Sequence, residues 1–408
     1  DTPGGCADPG ALRRPARARW PALLLAVLAT LADVACGDDD DEGPSAGTTA
    51  STAADAGSGQ GREERAERRE LVTRPDLTPP VIDVTVDEAP SPGLLFMAPK
   101  QAGAQTGPLI VDDAGEVVWS HPTGDDTAAD FRVQTYRGEP VLTWYEGSSL
   151  GGYGEGEFVI ADDSYHEVAR VAAGRGRAGD LHELQLTDTG TALVIAYATE
   201  PADLSAADGP ADGFMQNCYV QEIDVATGRL LFEWNARDHV DMADTYSEVV
   251  PDAAATDDPI DDDGSEEAPF DWFHANSVSA DGPDTLLVSA RNTHAVYAVD
   301  RRSGELRWTL GGRSSDFTFA DGAAFAWQHD ARRQPDGTIS MFDNEATPPV
   351  GDESRGLVLA LDGRPGHGGT ARVVREITHP EHVQAGSQGN TQLLDGGRAL
   401  IGWAPPGG

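Results

Sequence analysis

The chain has 408 residues, with 69 acidic against 29 basic side chains and a formal net charge of −40. An acidic excess of that size argues against nucleic acid or an anionic membrane surface as a partner, and any pocket for an anion must bring its own positive charge. The length alone suggests two or three ordinary domains, a prior that repeat architectures override.

Arg13, Arg14, Arg17 and Arg19 precede an apolar run from Trp20 to Ala32. A basic start followed by a run too short to span a bilayer comfortably has the form of an export signal. Small residues lead on to Cys36 and a polar tract, the arrangement of a bacterial lipoprotein, although Asp33 stands where an aliphatic residue is usual. Residues 1–36 are therefore expected to be a signal peptide with lipidation at Cys36. That places the protein outside the cytoplasm, periplasmic or on the cell surface, and tethers it to the membrane through lipid. Residues 37–76, acidic and then rich in Gly, Ser, Thr and Ala, have little to bury and are expected to form a disordered linker. Only Cys218 remains beyond Cys6 and Cys36, so no internal disulfide framework is expected, and Cys218 reads as a buried structural thiol.

From residue 77 to 408 the pattern changes to short β-rich runs bounded by Gly, Asp, Pro and Asn, among them PVLTWY, TALVIAY, TLLVSA and AVYAVD. Two elements recur. One is an aliphatic strand ending in Asp, a Gly turn and a strand ending in Trp: IVDDAGEVVW, EIDVATGRLLFEW and AVDRRSGELRW. The other has a polar start, a strand, a turn and a second strand: HELQLTDTGTALVIAY, HANSVSADGPDTLLVSARN, QHDARRQPDGTISMFDN and GNTQLLDGGRALIGW. Joined, they form a four-stranded meander of roughly 40 to 55 residues, the size of a propeller blade. Five blades can be counted and another begins at Gly389, so the expected fold is all-β, a six-bladed β-propeller whose last blade is incomplete in this chain.

Several motifs invite chemistry and fail on context. GSSLG at Gly147–Gly151 has the form of a nucleophile elbow but is followed by another strand, not a helix. GRGRAG at Gly174–Gly179 lacks the helix that would hold a pyrophosphate. In DDPIDDDGSEE, Pro259 stands at a ligand position of a calcium loop and the closing glutamate is missing, so a solvated acidic loop is expected. His379 and His382 have no partners at ligand spacing. Neither a metal nor an organic cofactor is expected.

Three histidines open blades at the same place in the repeat: His182 in HELQL, His274 in HANSV and His329 in HDARR. Equivalent positions converge at one end of a propeller's central channel, and three imidazoles facing one funnel are hard to explain by packing alone. Arg291 in VSARN adds a cation on the strand next to His274.

DWFHANSV, the downstream VSARN and WQHDAR, preceded by LHEL, together resemble the bacterial arylsulfotransferases, in their shorter, divergent branch. The resemblance covers roughly residues 90–405 and is specific in the His-x-Asn and Gln-His-Asp segments. It implies a six-bladed propeller that moves sulfuryl groups between phenols without nucleotide sulfate. It also implies His329 as the nucleophile, His182 as acid and base, and His274 with Arg291 stabilising the sulfuryl oxygens. Asn276, Trp272, Phe273 and Trp327 are then candidates to contact the phenolic sulfate and the phenol acceptor. Two other readings stay open: a non-catalytic propeller lipoprotein binding a ligand or protein, and a quinone-dependent propeller dehydrogenase, which the lack of a calcium pattern and of adjacent cysteines disfavours. The oligomeric state is not legible in the sequence.

Overall fold

The computed structural model describes residues 71–86, 92–100, 105–250, 262–346 and 348–404. The expected signal segment with Cys36, and the expected linker as far as residue 70, lie outside them. Strands and single 3-10 turns make up the regular structure of the described residues.

The strands form successive meanders. First come β1 (Leu94–Met97), β2 (Leu109–Asp112) and β3 (Val117–Ser120). Next are β4 (Thr127–Tyr136), β5 (Glu139–Leu150), β6 (Tyr153–Ala161) and β7 (Glu167–Val171). The third sheet is β8 (Leu184–Leu186), β9 (Thr191–Ala202), β10 (Gly213–Asp224) and β11 (Arg229–Asn235). The fourth is β12 (Ala275–Ala280), β13 (Thr285–Ala290), β14 (Ala295–Asp300) and β15 (Leu306–Gly311). In the fifth, β17 (His329–Arg333), β18 (Ile339–Asp343), β19 (Arg355–Asp362) and β20 (Gly369–Thr378) are joined by β16 (Phe317–Phe319), which pairs in parallel along the outer edge of β20. A hairpin of β21 (Asn390–Leu394) and β22 (Arg398–Gly402) follows.

The recurring Asp is a turn device. Asp112 Oδ1 accepts the backbone N–H of Ala114 and Glu116 at 3.0 and 2.8 Å, and Asp162, Asp224 and Asp300 repeat this at the ends of β6, β10 and β14. Gly115, Gly228 and Gly304 take the left-handed backbone that closes three of these turns.

The core is layered between sheets. Along β9, Leu193, Ile195 and Tyr197 face the β12–β15 sheet, while Ala192, Val194 and Ala196 face the β4–β7 sheet. Both faces are buried, which is why these strands read as unbroken apolar runs and not as alternating ones. Each fully buried Leu, Ile or Val contributes about 1.5–3 kcal/mol. Cys218 lies fully buried in the same layer, as expected.

The arrangement is a β-propeller of five blades. The expected sixth blade is corrected by the pairing. Strands β21 and β22 pair only with each other, and β1–β3 form their own sheet, so among the described residues the two groups do not combine into a four-stranded blade. The hairpin packs instead on the fifth sheet, with Phe342 of β18 against Ala385, Ile401, Trp403 and Ala404.

The motifs set aside on sequence grounds are strand and turn. Gly147–Leu150 continue β5, and Gly174–Gly179 form a bend bridged to Gly156. His382 pairs with Glu353, and no cluster of metal-ligating side chains occurs among the described residues.

Candidate active site

The innermost strands all begin at one end of the propeller axis, and their first residues build the site. His182 lies two residues before β8, His274 immediately before β12, and His329 opens β17. The His182 ring centroid is 5.2 Å from that of His274 and 6.5 Å from that of His329. The backbone here is irregular. The register slips beyond Ala129, Ala275 and His329, so β4, β12 and β17 each bulge just after their start. Asp130, His274, Trp327 and Asp330 adopt left-handed φ near +50 to +57°. Each such residue costs about 1–3 kcal/mol, and bulges of this kind re-aim side chains where strands end.

Each imidazole is anchored through Nδ1. His182 is held by Asp180 Oδ1 at 2.6 Å, and Asp180 in turn accepts the backbone N–H groups of His182 and Gly154. His274 is held by Asp271 Oδ2. His329 meets the side-chain oxygen of Asn344 at 2.7 Å. The second nitrogen of each ring makes no hydrogen bond to protein among the described residues. A cavity of about 50 Å³ opens between His182, His329, Asn276, Arg332 and Asn390. That is space for a small oxyanion or a few waters, so a substrate ring must lie at the mouth.

Arg291 donates its backbone N–H to the His274 carbonyl at 2.9 Å, which fixes it beside that histidine. Its guanidinium stacks 4.7 Å above the Trp327 ring and donates to Asn292 Oδ1 at 2.9 Å. It forms no ion pair with a carboxylate among the described residues. Burial lowers its pKa to about 10, opposed by Asp271, so it stays charged at neutral pH. Burial pushes His329 well below the ordinary imidazole value; the charge of Arg291 and the neighbouring His182 add to this. His329 is therefore neutral.

Beneath the histidines lies a buried ion network. Glu183, fully buried, takes Arg132 Nη2 on one side and Arg332 Nη2 at 2.5 Å on the other. Arg132 also pairs with Asp130 at 2.8 Å, and Arg332 Nε with Asp330 at 2.6 Å. Burial pushes the Asp130 carboxyl up to about 8; Arg132 opposes this and Glu183 adds to it. The network stitches β4, β8 and β17 together around the axis.

The structure lines the cavity with His182, His329 and Asn276 and sets His274 and Arg291 next to them, outside the lining itself. Asn276 donates to the Gln328 carbonyl at 2.7 Å, and its buried Oδ1 has no protein partner. Trp327 serves the site through Arg291. Trp272 and Phe273 lie in the core with Trp234 and Tyr297, only 1% and 0% exposed, and do not line the cavity. Sequence reasoning missed Asp180, Asp271 and Asn344, although DLH and DWFH place an acid two and three residues before a histidine. It also missed the Arg132–Glu183–Arg332 network, whose members lie far apart in the chain.

The family profile described as Arylsulfotransferase (ASST) matches residues 132–407, from β4 onward. The chain belongs to the arylsulfotransferase family. The matched span holds all three histidines, Arg291 and Asn344 of this arylsulfotransferase-family protein. No curated protein matches it. Among solved structures, a protein of unknown function from Bacteroides caccae is similar at 15% identity and a TM-score of 0.40, over 77% of this chain and 84% of that one. Glutaminyl cyclase of Myxococcus xanthus is similar at 11% identity and a TM-score of 0.29, over 70% of this chain and 86% of that one. Likeness at these scores carries no argument about function.

Proposed function

We propose that the protein is an exported sulfotransferase, lipid-anchored through Cys36, that passes a sulfuryl group from a phenolic sulfate ester to a phenolic acceptor through a sulfohistidine at His329. The observation that carries this reading is the meeting of three anchored imidazoles with a half-buried guanidinium that forms no ion pair among the described residues, in a chain of net charge −40. Such a cation in so acidic a protein is suited to hold an anion. Sulfuryl transfer, like phosphoryl transfer, spreads charge over peripheral oxygens and is catalysed mainly by positioning and electrostatics.

In the first half-reaction the neutral Nε2 of His329 attacks sulfur, the S–O bond to the aryl group breaks, and the departing phenolate takes a proton from His182. In the second, His182 removes the proton of the acceptor phenol, whose oxygen attacks sulfur as the S–N bond breaks. The 6.5 Å between the His182 and His329 rings leaves room for one sulfur within about 3–3.5 Å of the nucleophile. Arg291 and His274, beside the cavity lining, are placed to hold the sulfuryl oxygens at its mouth, and Asp180 orients His182 through Nδ1. The alternative, a non-catalytic propeller lipoprotein, has no comparable use for a neutral histidine beside an unpaired arginine.

The test is to incubate the protein with a chromogenic aryl sulfate and excess phenol, following phenol release and the intact mass of the quenched protein. Release with an added sulfuryl mass, both lost in His329→Ala, is expected. A well-folded protein giving neither release nor adduct would refute the transferase reading for that donor class.

A further inference from the structure

The three histidines occupy equivalent places in the repeat, yet their Nδ1 partners differ in kind. Two are carboxylates, Asp180 and Asp271; the third is the carboxamide of Asn344. A carboxylate accepts only, and it favours the imidazolium. A carboxamide has two unlike ends, and what it does to a ring depends on which end faces it.

The surroundings of Asn344 settle that orientation. It is fully buried, and its Nδ2 lies 3.0 Å from the Ala385 carbonyl and 2.9 Å from the Gln388 carbonyl. Both carbonyls are acceptors, so the amide N–H groups point at them. The reversed amide would press Oδ1 against two carbonyl oxygens and take both N–H donors away from them, leaving the ring nitrogen to accept at most one, at about 1–3 kcal/mol for each lost partner. Ser354 ties the two segments together: it donates its hydroxyl to the Asn344 backbone carbonyl at 2.6 Å and accepts the Ala385 N–H at 2.8 Å. Asn344 Oδ1 therefore faces His329, where it can only accept.

We propose that Asn344 is a positioning residue that holds the His329 imidazole in the tautomer with its proton on Nδ1, so that the lone pair of Nε2 is presented to the cavity. The sequence places it in the MFDN run, 15 residues after the histidine. Hairpin pairing of β17 with β18 sets His329 opposite Phe342, which brings the residue just past β18 beside the ring. An amide suits a group that attacks as a free base, because it orients the ring while its uncharged oxygen raises the ring's pKa only against the stronger lowering by burial and Arg291. The two carboxylate-held histidines are correspondingly suited to carry protons. The role of the lone pair rests on the reading of His329 as nucleophile; the tautomer itself does not.

The experiment is nitrogen-15 NMR of the intact protein labelled at histidine, with His329→Ala to assign its ring signals. Wild type is expected to show protonated Nδ1 and unprotonated Nε2 at His329 at neutral pH. A proton on Nε2, or a mixture of the two tautomers, overturns the proposal whether or not the protein transfers sulfate. Two variants extend the test. Asn344→Ala is expected to mix the tautomers and lower turnover about 10- to 100-fold, as loss of a ring-orienting partner does elsewhere. Asn344→Asp is expected to raise the ionisation of His329 and move the acid limb of its pH–rate profile upward. An unmoved His329 titration in folded Asn344→Asp counts against the proposal. The expected tautomer without any sulfuryl adduct would leave the positioning role standing and remove the transferase reading.

Discussion

The ion network beneath the site offers a direct test of what holds the inner strands together. Glu183→Gln removes one charge from a fully buried side chain that bridges Arg132 and Arg332 while keeping its shape. Burial pushes Asp130 up to about 8 and raises Asp330 as well, while Glu183 stands between the two guanidinium groups of Arg132 and Arg332. Neutralising Glu183 leaves one guanidinium without an anion, and breaking a buried pair from one side costs about 3–5 kcal/mol. Part of this is recovered, since Glu183 is itself one reason Asp130 holds its proton. With that charge gone, Asp130 ionises more readily and pairs fully with Arg132. The expected loss is therefore near the lower end, about 3 kcal/mol, or about 6 °C in Tm at ~2 °C per kcal/mol for a domain of this size. Thermal denaturation followed by circular dichroism at pH 7 measures it. A Tm within about 1 °C of wild type would show that the bridge contributes nothing and refute the electrostatic account of the channel.

The network also predicts a pH dependence. An acid whose folded pKa lies above its unfolded value of 3.8 adds stability that is complete below about pH 4 and is lost as pH rises through about 8. Wild-type Tm should therefore fall between pH 5 and 9, and Asp130→Asn should flatten the decline; parallel slopes in the two proteins would remove Asp130 as the cause. For catalysis, Arg291→Lys retains a charge but not the planar fork stacked on Trp327. A loss of roughly 10²–10³ in kcat toward an aryl sulfate is expected. Unchanged kcat would show that Arg291 does not meet the transition state.

Much of the fold was legible because propeller strands are buried on both faces and their turns use a repeated device. Runs such as TALVIAY and TLLVSA carry the first signal, and Asp112, Asp224 and Asp300 the second. Blade number was not legible. The GNTQLL–RALIG pair reads as two strands, but whether these share a sheet with strands near the start of the domain depends on hydrogen bonds between distant segments, and here they do not. At the site, His182, His274 and His329 could be aligned because the repeat itself aligns them. Trp272 and Phe273 stand beside a site histidine in sequence, but the chain bends through them and His274 takes a left-handed φ, so both rings enter the core while the imidazole turns toward its neighbours. Asn344 was invisible for a different reason. Its importance lies in which end of an amide faces the ring, and two backbone carbonyls some 40 residues further on decide that.

A repeat that superposes three histidines on one funnel would, left to itself, make three equivalent groups, and equivalent groups cannot divide the work of attacking and carrying protons. The differences arise one step out from the rings. Asp180 and Asp271 come from the loops leading into β8 and β12, whereas Asn344 comes from the far end of the β17–β18 hairpin. Arg291 deepens the asymmetry, since its unpaired charge opposes protonation of His329. A half-buried guanidinium without an ion pair is costly, and a blade scaffold could as well have paired it with a carboxylate, as it does for Arg301 with Glu222 and for Arg355 with Asp343. Leaving Arg291 without one makes sense if its partner is an anion that arrives with the substrate. The same charge then keeps His329 a free base until that anion is bound.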